Sequence, residues 1–136
     1  MTTLAVDVPR GFSLGDLDEY PVIAADIIYE GAAVGENASG YARPLVAADP
    51  FLGFAMEQVD NAAGSAGDKR VRVLVRGAVT LPISGLAITA NDHPPVYASD
   101  DNTFTLTSSG NTKIGWVRRW VSTGVAVVEF DAFAVL

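Results

Sequence analysis

Arg70-Val71-Arg72-Val73-Leu74-Val75-Arg76 is the stretch on which the fold of this chain turns. Val71, Val73 and Val75 fall on one side of an extended backbone, with Arg70, Arg72, Leu74 and Arg76 on the other. That period of two marks a half-buried strand. A slip of one residue would bury three arginines, so the strand's orientation is fixed by its own residues.

Outward from this strand, in both directions, the chain alternates short apolar runs with turn residues, the signature of an all-β domain. On the C-terminal side the runs are 79–83, 96–99, 103–107, 111–121 and 125–133. Asp100-Asp101-Asn102, Ser108-Ser109-Gly110 and Ser122-Thr123-Gly124 serve as tight connections. In the last run Ala126, Val128, Phe130 and Ala132 form an apolar face opposite Glu129 and Asp131. On the N-terminal side 26–34 and 41–46 read as strands, and 51–59 as a strand or two turns of helix. Residues 61–68, rich in Ala, Gly and Ser, read as a mobile loop. The expectation is an all-β domain over 26–136, a small β-barrel or sandwich of about nine strands, with an extended N-terminal arm over 1–25.

Length and composition agree with one such domain. The chain has 136 residues, 49% of them apolar and 18% charged, which excludes a wholly disordered chain. No run approaches the ~20 apolar residues of a bilayer-spanning helix, and Met1-Thr2-Thr3 opens no signal peptide, so no membrane partner is expected. With no cysteine there is no disulfide framework and no thiol nucleophile. The formal net charge of −7 argues against direct nucleic-acid binding. It is unevenly spread, −9 over 1–68 and +2 over 69–136. Such polarity lets copies of one molecule, or an oppositely polarised partner, approach without repulsion. Two solvated strand faces would give the same pattern.

The arm is interrupted by Pro9, Gly11, Gly15 and Pro21 and carries Asp7, Asp16, Asp18 and Glu19 against Arg10. Yet Leu4, Val6, Val8, Phe12, Leu14 and Leu17 are apolar, too many for a solubilising tail. Either the arm docks on a neighbour or it packs across its own domain.

Residues suited to chemistry are sparse. His93, the one histidine, precedes Pro94-Pro95 and has no nucleophile-elbow serine in the sequence. A zinc site would need three carboxylates beside it. Asp16, Asp18 and Glu19, or Asp100, Asp101 and Asn102, are hard oxygen donors of the kind calcium takes, but neither matches an EF-hand loop. Gly64-Ser65-Ala66-Gly67 lacks the lysine of a phosphate-binding loop. No catalytic residue, metal or cofactor is expected. One constellation points outward instead. Period two over 114–121 puts Ile114, Trp116, Arg118 and Trp120 on one face, both tryptophans flanking an arginine, the residue types most enriched in interface hot spots. The competing reading is a core face with a bulge that throws Arg118 outward.

The order Arg43-Pro44-Leu45-Val46, Asp49-Pro50-Phe51-Leu52-Gly53-Phe54-Ala55, Val59-Asp60-Asn61 with its Gly/Ala loop, Val71–Gly77, Pro95-Val96-Tyr97-Ala98-Ser99-Asp100-Asp101, Thr103-Phe104-Thr105, Ile114-Gly115 and a closing Val125–Asp131 resembles the small capsid decoration, or cement, proteins of tailed bacteriophages. The resemblance covers about 26–133 and rests on turn and strand residues. It implies a non-enzymatic virion protein, made in the host cytoplasm, that sits on the outer capsid surface. Its partners would be the major capsid protein and itself, as a homo-oligomer, a trimer favoured over a dimer. Leu4, Val6, Val8, Phe12, Leu14, Trp116, Arg118 and Trp120 would then be its interface residues. A carbohydrate- or ligand-binding β-sandwich module, with Trp116 and Trp120 stacking on a sugar, is the alternative, as is another virion part such as a tail-tube or head-completion protein.

Overall fold

Val71, Val73 and Val75 are fully buried while Arg70, Arg72 and Arg76 are exposed, as the alternation requires. The computed structural model describes residues 3–10 and 13–136. Among them, in chain order, are β1 (Leu17–Pro21), β2 (Asp26–Ile28), β3 (Ala33–Glu36), β4 (Ala42–Pro44), β5 (Phe51–Ala55) and β6 (Val59–Asn61). There follow β7 (Arg70–Leu74), β8 (Arg76–Pro82), a 3-10 turn (Ile88–Asp92), β9 (Pro95–Asp100), β10 (Thr103–Thr105), β11 (Thr112–Ser122) and β12 (Val125–Asp131). The domain is nearly all β, in three antiparallel sheets ordered β1-β7-β5-β3-β4, β10-β9-β11-β12-β8 and β2-β6.

No sheet closes into a barrel. The two edges of each five-stranded sheet meet at a single isolated parallel bridge, Val22 to Ala42 in the first and Ser84 to Thr105 in the second. Pro21, Pro44 and Pro82 end three of the edge strands. Proline has no N–H to continue a ladder, so closure stops at one bridge. The sheets are joined through an aromatic cluster. Phe54 of β5 meets Phe130 of β12 edge-on at 4.8 Å between ring centroids, with Phe51 and Phe104 beside them. The alternating face of β12 is buried throughout, at Ala126, Val128, Phe130 and Ala132.

Twelve described strands replace the expected nine or so. Gly31, at φ +85°, splits 26–34 into β2 and β3 by a turn that favours glycine. The stretch 51–59 is extended, not helical, and also breaks in two. The arm is shorter than expected, because Leu17–Pro21 pairs along β7, with Tyr20 opposite Val71 and Glu19 opposite Arg72. Val22 is fully buried. Proline and glycine exclude a central strand but not a short edge strand ending at Pro21. The loop 61–68 is tied down. Its Asn61 side-chain amide donates to Ile23 O at 2.9 Å and Ser65 O at 3.0 Å, and Gly67 N–H donates to Val22 O.

Candidate interface

The arm leaves the domain at Asp16. Val75, the single residue between β7 and β8, donates its N–H to Asp16 O at 2.8 Å, and the Arg76 side chain reaches Gly15 O at 3.3 Å. Beyond that root all of residues 3–10 are exposed. Leu4 is 69%, Val6 75%, Val8 44% and Leu14 92% exposed. Of the two covers the sequence allowed, the domain's own surface is not the one used by these four side chains. Phe12 lies outside the described residues. Leu17 and Phe133 add exposed apolar surface next to the same root, since Ala132 N–H donates to Val75 O at 2.8 Å. Sequence reasoning missed this C-terminal contribution, because 125–133 reads as one strand to its end.

β11 is built differently from a strict alternation. Val117 pairs with Val128 and Arg119 with Val127, leaving Arg118 as an extra residue, and Val121 is extra in the same way before Ser122. Against β9 the extra residue is Ile114. A bulge adds one residue to one strand and turns the side chains beyond it to the opposite face. Trp116 therefore stands opposite exposed Glu129, whereas Trp120 stands opposite fully buried Ala126 and packs against the core. The expected common face of Trp116, Arg118 and Trp120 does not exist. Trp116 and Arg118 share the outer face, Ile114 is fully buried, and Trp120 belongs to the inner face. A sugar platform made of both tryptophans is ruled out by the same geometry.

On that outer face Arg118 pairs with Glu129 at 2.7 Å, both more than half exposed, and the Lys113 ammonium lies 4.8 Å from the Trp116 ring centroid. Shallow clefts flank the indole, one lined by His93, Arg118 and Glu129 and the other by Arg76, Phe130 and Asp131. His93 sits in the left-handed region (φ 62°) and its Nδ1 is 2.8 Å from Val117 O, so the ring holds the 3-10 turn against β11. The backbone N–H of Trp120 donates to Asn91 Oδ1 at 2.8 Å and strengthens that clasp.

The carboxylate groups serve the fold. Asp49, buried, accepts from Arg43 Nε at 2.9 Å and Nη2 at 2.7 Å and from Val46 N–H, while its backbone carbonyl accepts from Thr112 of β11. This pairing raises the Arg43 guanidinium pKa further above its usual value, mainly through the hydrogen bond to Asp49. Asp100 caps its own turn by accepting from Asn102 N–H and Thr103 Oγ1. Burial, then the Asp100 charge, push the Asp101 carboxyl above the usual range, and burial followed by Asp18 does the same to the Tyr20 phenol. Among the described residues no group of three or more His, Asp or Glu is placed to hold a metal ion, and no helix is long and apolar enough to cross a membrane. No family model, curated protein or solved structure matches the chain.

Proposed function

We propose that this chain is a structural decoration protein of a tailed-phage capsid, seated on the outer surface and clamping neighbouring major-capsid subunits. The observation that carries the reading is the exposed arm. Leu4, Val6 and Leu14 stand mostly in solvent and Val8 is 44% exposed, on a domain whose remaining apolar side chains are mostly buried. Burying each would contribute on the order of 1.5–3 kcal/mol, less the cost of ordering the arm. An extended apolar segment can add a strand to an exposed sheet edge of a neighbour. Many copies of such a clip shift the shell towards its assembled state by mass action. The two cross-braced sheets supply a rigid body for the arm to pull against, and the outer face around Trp116 and Arg118 supplies a second contact. The trimer is the favoured assembly.

The test is binding to expanded, undecorated shells of the cognate major capsid protein. The full chain should saturate them and raise their melting temperature. A chain lacking residues 2–15, with β1 intact, should melt as the full chain does and fail to decorate. Saturation by the truncated chain would remove the arm as anchor, and absence of binding by the full chain would refute the reading.

A further inference from the structure

Among the described residues the longest open edge is β8, which meets β10 only beyond its end, at Ser84 and Thr105. Among the described residues it pairs with β12 only, over seven residues. Ile83 N–H donates to Gly124 O on the β12 side. Antiparallel alternation therefore turns the N–H and C=O of Ala78 and Thr80 away from β12, towards the free edge. Both residues are exposed. An unpaired row of backbone groups is a template for another strand.

The arm has the complementary pattern. Over residues 3–8, Leu4, Val6 and Val8 alternate against Thr3, Ala5 and Asp7. We propose that the arm of one copy adds as an antiparallel strand to the β8 edge of a second copy, with Asp7 opposite Arg76. This does not depend on the capsid reading; in that reading the β8 edge holds the arm in the free protein, and the shell displaces it from there. The register follows from charge and from the faces of β8. Val79 pairs with buried Val128 and Gly77 with buried Phe130, so odd positions of β8 face the core. Placing Asp7 opposite Arg76 puts Val6 opposite Gly77 and Leu4 opposite Val79, and carries Val8 past the end of β8, where Asp16 and Ala132 already take the backbone groups of Val75. Leu4 and Val6 then extend the inner face over the partly covered Val79, and on the outer face Asp7 joins Asp16, 3.9 Å from Arg76 Nε, around the same guanidinium. A one-residue slip would reverse every side chain.

The second copy is favoured over the same chain by the route of the backbone. The arm is rooted beside Arg76 itself, so a fold-back along β8 would lay down Pro9–Leu14 first. Pro9 has no N–H for the ladder, and Arg10 would compete for the inner face. The apolar alternation begins eight residues out from Asp16, a reach of up to about 26 Å.

Because the chain has no cysteine, introduced cysteines report the pairing without background. Ala5→Cys and Ala78→Cys, made separately, are mixed and oxidised; directly opposed strand positions lie within disulfide range. The mixture should give on the order of tenfold more linked dimer than Ala5→Cys mixed with Ser39→Cys, a turn position between β3 and β4. Both substitutions in one chain should give linked oligomers. Val6→Asp should lower the oligomer mass in solution and leave the far-ultraviolet circular dichroism of the domain unchanged, because Val6 is 75% exposed in its own chain. Equal linkage at positions 78 and 39, a purely intrachain disulfide in the double variant, or unchanged oligomer mass in Val6→Asp would each overturn the proposal. All three measurements use the purified chain without shells, so their failure is distinct from failure to decorate.

Discussion

Replacing Asp49 with alanine should be among the most damaging single changes outside the aromatic core. The carboxylate is 8% exposed and holds three donors, two from Arg43 and one from the backbone of Val46. Removing one partner of a fully buried pair costs about 3–5 kcal/mol, mostly because the other charge is left without compensation. Arg43 retains 30% of its side-chain exposure, so water recovers part of its solvation and the loss falls below that range, to about 2 kcal/mol. The orphaned Val46 N–H adds to the loss, giving a total of about 3 kcal/mol. For a chain of this length that is a fall of roughly 9–12 °C in melting temperature. Thermal unfolding of Asp49→Ala, Arg43→Met and the double variant supplies the check. The double variant should be more stable than the two single losses added together, because it removes both charges. A fall below 3 °C in Asp49→Ala, or strict additivity in the cycle, would show that this pair does not lock the turn between β4 and β5.

The other expectations concern β11 and the Asp101 turn. A Cβ at Gly115 would run into the backbone carbonyl of Glu129, which no rotamer can relieve; Gly115→Ala should cost more than about 2 kcal/mol by denaturant melting. Trp120→Ala should destabilise by about 2–3 kcal/mol through lost core packing, while Trp116→Ala costs less than about 1 kcal/mol and lowers shell binding instead. Equal stability losses at the two tryptophans would contradict their placement on opposite faces. Asp101 holds its proton more tightly in the folded than in the unfolded chain, so its ionisation removes stability as pH rises through the raised value. Asp101→Asn should therefore be the more stable protein at neutral pH, by no more than about 0.5 kcal/mol, with the difference vanishing at acid pH; a difference that grows on acidification would reverse the assignment.

The strands that sequence could read are those whose side chains alternate without interruption. β7 and β12 each carry a period-two face, and each buries that face. β11 defeats the same reading because its faces are decided by pairing. Three extra residues, Ile114, Arg118 and Val121, are absorbed against two neighbouring strands, and no local pattern in 112–122 marks them. β1 was hidden for a different reason. Leu17-Asp18-Glu19-Tyr20-Pro21 has weak strand character of its own and is extended because β7 offers it a ladder. The Arg43–Asp49 lock needs a turn between β4 and β5 to bring the two side chains together, and nothing in their spacing of six announces it. The apolar character of Leu4, Val6, Val8 and Leu14, in contrast, is plain in the sequence, whereas their exposure is a matter of tertiary placement.

Val75 belongs to neither sheet and is hydrogen-bonded to the ends of both, giving its N–H towards Asp16 and its carbonyl to Ala132. Mechanically it is a pin. A pull on the arm enters the domain at Asp16 and is divided at once between β7, in one sheet, and β8 with the C-terminal turn, in the other. Along β1 the same pull runs parallel to the strand, so the rungs from Leu17 to Pro21 are sheared together and do not unzip in turn. A protein loaded through its arm would thus yield only when the pin and all the rungs of β1 give way together.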